Sequence, residues 1–195
     1  PQLQLRLIEF LQDRSEPSQG NRTVQVLITT HSPNLASKVD LEKVILMHEG
    51  KAYPLASRYT RLDSLDYSFL ERFLDVTKAN LFFAKGVMIV EGDAENILLP
   101  TLADCVGRSF SEYGVSIVNV GSRGLFRYSR IFQRKDGGDL PIRIACIADR
   151  DIVPNAVEYT GERKRENDHT PEEIQSQLAS LKAENSPNVR TFVSP

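Results

Sequence analysis

From residue 85 onward, short apolar runs alternate with segments of helical periodicity, and this alternation leaves the chain few architectures. VMIVE (87–91), VSIVNV (115–120), IRIACIA (142–148) and NVRTFV (188–193) read as strands. Between them, AENILLPTLADCV, RGLFRYSRIFQR and PEEIQSQLASLKAE read as helices. Strands this apolar, each followed by a helix, fold as a mostly parallel sheet with helices on both faces. The fold class expected is therefore α/β. Pro100 falls inside the first of these helices and is expected to kink or split it.

The rest of the chain divides into two further sections. Residues 1–58 open on a largely apolar helix carrying Leu3, Leu5, Leu7, Ile8 and Leu11. A polar loop leads to VQVLITT (24–30), a continuous apolar run expected to form a buried strand. In THSPNLAS, Ser32 is placed to cap a helix whose first residue is Pro33. KVILMHEGKAYPLA reads as a hairpin turning at Glu49 and Gly50. Residues 59–85 form a connector, with Leu65, Phe69, Phe73 and Val76 spaced as the inner face of an amphipathic helix. KDGGD (135–139) is a turn, and GERKRENDHTP (161–171) a polar loop.

Composition excludes several classes. A chain of 195 residues with 41% hydrophobic and 26% charged residues is expected to be a soluble globular protein of one domain or two small ones. Its net charge of -2 gives no general attraction for nucleic acid, so any such surface must be local. Cys105 and Cys146 lie in apolar runs without a metal-ligand pattern, which argues against a disulfide framework or a zinc site and for a reducing, cytoplasmic setting. No stretch is apolar for long enough to span a bilayer, so no membrane partner is expected. The chain begins in a helix and stops after a strand, as a piece of a longer protein would.

The residues that carry chemistry are acidic. Glu91 ends one strand, Gly92 breaks it, Asp93 can cap the next helix, and Glu95 falls in that helix's first turn. Asp149 ends another strand, and Asp151 lies two residues on, on the same side of an extended chain. In open parallel sheets, sites form beyond the carboxyl ends of the strands. If the two strands are neighbours, these carboxylates converge, and clustered carboxylates repel unless cations neutralise them. Hard oxygen donors suit magnesium or manganese, ions that activate water and polarise phosphoryl groups. Glu91 fits either a metal ligand or a general base. Taken singly, each of these residues is as well explained by a helix cap or a turn; their placement as a set on two strand ends favours a site.

VMIVEGDAENILLP followed by IACIADRD resembles the Toprim domain of topoisomerases, primases and certain nucleases. That family is marked by Glu-Gly after one strand and Asp-x-Asp after another, here Glu91-Gly92 and Asp149-Arg150-Asp151. VEGDAENILLP is most similar to the OLD (overcoming lysogenization defect) nucleases, which join an ABC-type ATPase to a C-terminal Toprim domain. The resemblance implies two-metal cleavage of DNA, with Glu91, Asp149 and Asp151 catalytic and Glu91, Glu95, Asp149 and Asp151 near two Mg2+ or Mn2+ ions. It also implies a homodimer, a Toprim section at 86–195 continuing beyond Pro195, and the end of an ATPase at 1–58. VLITTHSPNLAS resembles the end of an ATPase core in which a histidine meets the terminal phosphate of ATP; His31 matches it. The alternative is a strand-end histidine satisfied by its neighbours. GxxxxGK[ST] is absent, so ATP hydrolysis is not expected of this chain.

Two features point to a DNA backbone. Arg123, Arg127, Arg130 and Arg134 fall along one face of a helix, with Leu125, Tyr128 and Phe132 opposite. Equally, such a row is a solvated charged face. Gly121 opens this helix in NVGSRG, and its loop is expected to approach a phosphate through backbone N–H groups, although any sharp turn uses glycine in the same way. The competing functions are strand transfer of the topoisomerase or primase type, needing a nucleophilic tyrosine among Tyr113, Tyr128 and Tyr159; a non-catalytic dimerisation and DNA-docking module; and an Asp-x-Asp phosphatase, which leaves Glu91-Gly92 unexplained.

Overall fold

A computed structural model describes residues 2–15, 24–121, 124–138, 140–150, 152–153, 155, 161 and 164–193. The chain opens with α1 (Gln2–Ser15) and α2 (Pro33–Ala36), followed by a 3-10 turn at Leu41–Lys43. Ile8 of α1 is buried, whereas Leu3, Leu7 and Phe10 are exposed. Pro33 starts α2 as expected, but the Ser32 side chain makes no cap. The expected strand at 24–30 does not form. Residues 24–32 have no regular secondary structure, and Leu27 is 87% exposed. An apolar run becomes a strand only beside an edge that pairs its N–H and C=O groups, and none of the described strands pairs with it.

The hairpin forms where its turn residues place it. β1 (Ile45–His48) pairs antiparallel with β2 (Lys51–Pro54), closing at His48 and Lys51. Between them Glu49 (φ 48°) and Gly50 (φ 75°) both adopt the left-handed conformation that a two-residue hairpin turn requires.

The connector departs from its expected form. It contains α3 (Ser64–Phe73) and a 3-10 helix at Lys78–Phe83 rather than one continuous helix. A reciprocal capping box starts α3: Asp66 N–H donates to Asp63 Oδ1 (2.7 Å), and Asp63 N–H to Asp66 Oδ2 (3.3 Å). The inner face is also rotated. Leu65, Phe73 and Val76 are exposed and Phe69 is half-buried, while Asp66, Tyr67, Leu70 and Leu74 are buried. Two polar anchors explain the rotation. Tyr67 Oη donates to the Leu55 carbonyl (2.5 Å) and lies 2.7 Å from Thr60 Oγ1, and Asp66 is ion-paired below the helix.

The remaining elements are β3 (Gly86–Val90), α4 (Asp93–Cys105), α5 (Phe110–Tyr113), β4 (Val115–Asn119), α6 (Leu125–Arg130), β5 (Arg143–Ala148), a 3-10 turn at Glu166–Asp168, α7 (Pro171–Lys182) and β6 (Val189–Val193). The four strands form one parallel sheet, ordered β4-β3-β5-β6 and flanked by helices. The α/β class read from the sequence is therefore the class observed. Val87 and Ile89 of β3, Val118 of β4, Ile144 and Cys146 of β5, and Val189 of β6 send their side chains into the core. That core also takes in Leu46 and Leu55 of the hairpin region and Leu70 and Leu81 of the connector.

Two helices differ from their sequence reading. α4 runs unsplit through Pro100. α6 stops at Arg130 instead of continuing to Arg134. Ile131, Phe132, Gln133 and Arg134 are all buried, and four consecutive residues cannot all face inward from one helix, so the chain turns there. Asn188 secures this segment: its buried amide donates to the carbonyls of Phe132 (2.9 Å) and Leu140 (3.2 Å).

Candidate metal centre at the strand ends

The strand order creates a topological switch point. From β3 the chain passes outward to β4, then returns across the sheet to β5 on the other side of β3. The connections therefore diverge between β3 and β5, the place where open parallel sheets form their crevice at the carboxyl ends of the strands. Val90 is in register with Ile147. Glu91 follows Val90 directly, and Asp149 lies two residues past Ile147. The adjacency on which convergence of these carboxylates depended is thus a feature of the sheet. Glu91 is half-buried and Asp149 exposed.

Glu95 joins them through Gly92. A methyl group placed on Gly92 would come within 2.8 Å of Glu95 Oε2, so the Glu95 carboxylate folds back over the first turn of α4. Gly92 has an extended backbone (φ -136°, ψ 170°) open to any residue, so the glycine makes room for a carboxylate rather than supplying an unusual dihedral. Asp93 and Glu95 both occupy the first turn of α4, where the helix dipole favours negative charge. Asp151 lies outside the described residues. Arg150 is ion-paired with Glu166 (3.3 Å).

These donors are oxygen-only, which in kind fits a hard divalent cation. Among the described residues, however, no group of three or more His, Cys, Asp and Glu side chains is arranged to hold a metal ion. Glu91, Glu95 and Asp149 are therefore candidate ligands near two adjacent strand ends rather than a closed cage. Neither cysteine adds a nucleophile: Cys146 is buried, and burial pushes its thiol up to about 12, while Cys105 is free and exposed at the far end of α4.

The arginine row is used differently from its sequence reading. Arg127 Nε lies 3.3 Å from Asp66, and its guanidinium stacks 4.4 Å over the Phe69 ring. Arg130 contacts Asp66 at 3.0 Å and also pairs with Glu184. The Glu184 hydrogen bond holds the Arg130 guanidinium charged above its ordinary range, against the opposing effect of burial, and Asp66 adds to it. Arg134 has 4% of its side chain exposed; it pairs with Asp136 (2.6 Å) and donates to the Pro54 carbonyl (3.1 Å). These three side chains are committed to partners in the same chain. Arg123 lies outside the described residues. Gly121 adopts φ 61°, and its N–H donates to Asn119 Oδ1 (3.0 Å), so that amide is already engaged. His31 is exposed, with its ring 6.2 Å from that of Phe83, and among the described residues no strand precedes it.

Sequence reasoning passed over Asp66 and Asn119. Asp66 looked like a surface residue of an amphipathic helix, and only its distant arginines give it a role. Asn119 carried a weak signal, as the last residue of an apolar strand in the motif VNVG.

Residues 82–151 match the family model described as overcoming lysogenization defect protein-like, TOPRIM domain. This span runs from the end of the connector through Glu91, Gly92, Glu95, Asp149 and Asp151. The four-stranded parallel sheet is consistent with that fold. No curated protein matches the chain. Among solved structures, the C-terminal region of the Xanthomonas campestris pv. campestris OLD protein is similar at 20% identity and a TM-score of 0.39. The match covers 60% of this chain and 52% of that one, so the chain spans about half the length of the solved relative. Among the described residues, no helix is long and apolar enough to cross a membrane.

Proposed function

We propose that the chain contributes a metal-dependent site that cleaves phosphodiester bonds of DNA. The observation that supports this reading best is the position of Glu91 and Asp149 at the carboxyl ends of adjacent parallel strands, at the point where the chain's connections diverge. The Toprim match over 82–151 supports the same chemistry. Glu91, Glu95, Asp149 and Asp151 would hold Mg2+ or Mn2+, one ion or two. Bound there, the metal would supply charge to a phosphoryl group and a more acidic water. The chain's own part is to hold oxygen donors on rigid strand ends and to keep Glu95 folded over Gly92. ATP and a second copy of the chain belong to this reading as partners of a longer protein, with His31 as the residue facing nucleotide.

Strand transfer through a tyrosine finds less support. Tyr128 is buried, donates to the Phe73 carbonyl (3.0 Å), and is pushed above the ordinary tyrosine range by burial and by Asp75. Tyr113 accepts a hydrogen bond from Arg108 (2.6 Å) at the opposite, amino-terminal end of β4. Tyr159 lies outside the described residues.

The test is cleavage of supercoiled and linear DNA by the purified chain in Mg2+ and Mn2+. Glu91→Gln and Asp149→Ala are expected to lower the rate by about a hundredfold or more while circular dichroism stays that of the parent. Cleavage by Asp149→Ala at the parent rate would refute the assignment. Tight metal-free DNA binding without cleavage by the parent would point to a docking module instead.

A further inference from the structure

Asn119 joins two segments that lie 26 residues apart in the chain. It is the last residue of β4 and is in register with Val90, the residue before Glu91. Its Nδ2 donates to Asp93 Oδ1 in the first turn of α4 (2.7 Å), and its Oδ1 accepts the Gly121 N–H (3.0 Å). Alongside, the Val120 N–H donates to the Val90 carbonyl (3.0 Å). The loop leaving β4 and the start of α4 are therefore pinned by one side chain, next to the Glu91-Gly92 step. The two partners also settle which way the amide points. A carboxylate needs a donor and a backbone N–H needs an acceptor, so only one orientation serves both.

We propose that Asn119 is a positioning residue for the phosphodiester-cleaving site: by tying Asp93 to β4 it sets the first turn of α4, and with it Glu95, against the ends of β3 and β5. This rests on the cleavage reading of that site. It also separates the acidic residues by task. Asp93 is spent on the brace, while Glu91, Glu95 and Asp149 keep the ligand roles of the cleavage reading. Touching no reacting atom, Asn119 acts through placement, and a small displacement of a reactive constellation slows the chemical step more than it weakens substrate binding.

The bridge can be broken and rebuilt by exchanging its two residues. Asn119→Asp sets two carboxylates against each other at hydrogen-bond distance, where they repel. Asp93→Asn alone keeps an acceptor for Asn119. In the double variant Asp93→Asn/Asn119→Asp, the new amide donates to the new carboxylate, which still accepts the Gly121 N–H. For DNA cleavage in Mn2+, Asn119→Asp is expected to lower kcat about tenfold or more with KM for DNA changed less than about threefold. Asp93→Asn should stay within about threefold of the parent, and the double variant should recover most of the lost rate. Amide hydrogen exchange at Asn96, whose N–H donates to the Gly92 carbonyl (3.3 Å) in the first turn of α4, gives a readout independent of activity: faster in Asn119→Asp, which loses the tie to Asp93, and slow again in the double variant. Should Asn119→Asp cleave at the parent rate, or the double variant cleave no better than Asn119→Asp, the positioning role is overturned while the cleavage reading stands. Should the parent chain not cleave, or Asp149→Ala cleave as well as the parent, the cleavage reading falls and takes the positioning role with it, even where Asn96 exchange follows the expected pattern.

Discussion

Asp66, with 2% of its side chain exposed, answers two arginines and caps its own helix. Together with Glu184 it converts part of what looks in the sequence like a DNA-facing arginine row into an internal network joining α3, α6 and the segment after α7. Removing the carboxylate leaves Arg130 beside Glu184 alone and Arg127 without its counter-charge. Asp66→Ala is therefore expected to destabilise the fold by about 2–4 kcal/mol, less than a fully buried pair would lose because both arginines keep some contact with water. Urea denaturation checks this, and a loss under about 0.5 kcal/mol would show that the network contributes little. At this scale the chain was legible in residue type and local position: Glu91 and Asp149 each stand directly after a strand, as their sequence context implies. It was not legible where function depends on a partner: nothing around Asp66 in the sequence points to arginines some 60 residues away.

Elements show a similar division, and α4 is its clearest case. The periodicity of AENILLPTLADCV marks the helix, and Pro100 was expected to break it. The helix is continuous, and none of its side chains is fully buried. Pro100 lies well past the first turn, where it has no N–H to offer the Asn96 carbonyl and its ring crowds that carbonyl. Pro100→Ala is accordingly expected to raise stability by about 1–3 kcal/mol, read as a higher thermal midpoint by circular dichroism. An unchanged or lower midpoint would mean that the backbone of α4 has adapted fully to the proline. In α3 and α6, apolar spacing found the helices but not their bounds or inner faces. A buried ion pair and a hydroxyl anchor turned α3 by about one residue, and four consecutive buried side chains ended α6 early.

Across the whole molecule, one cluster of buried side chains runs from the hairpin through the connector into the parallel sheet. It crosses the boundaries expected near residues 58 and 85. Leu55 is fully buried at the end of β2, and its carbonyl accepts the Tyr67 hydroxyl. Leu55→Ala is expected to cost about 2–5 kcal/mol and to lower the protection of β1 and β5 amides together in hydrogen exchange. Loss of protection in β1 alone, with β5 unchanged, would show that the hairpin folds as a separate unit. The linear chain determined what depends on neighbours within a few residues. The apolar strands, the hairpin turn at Glu49 and Gly50, and acidic residues just past two strands follow from backbone periodicity and turn chemistry. Strand order is different in kind. Whether β3 lies beside β5, whether 24–30 finds an edge, and which carboxylate meets which arginine depend on contacts between distant segments. Those contacts form only when the chain closes its loops and buries its core, and that tertiary step set the strand that leads into Glu91 beside the strand that leads into Asp149.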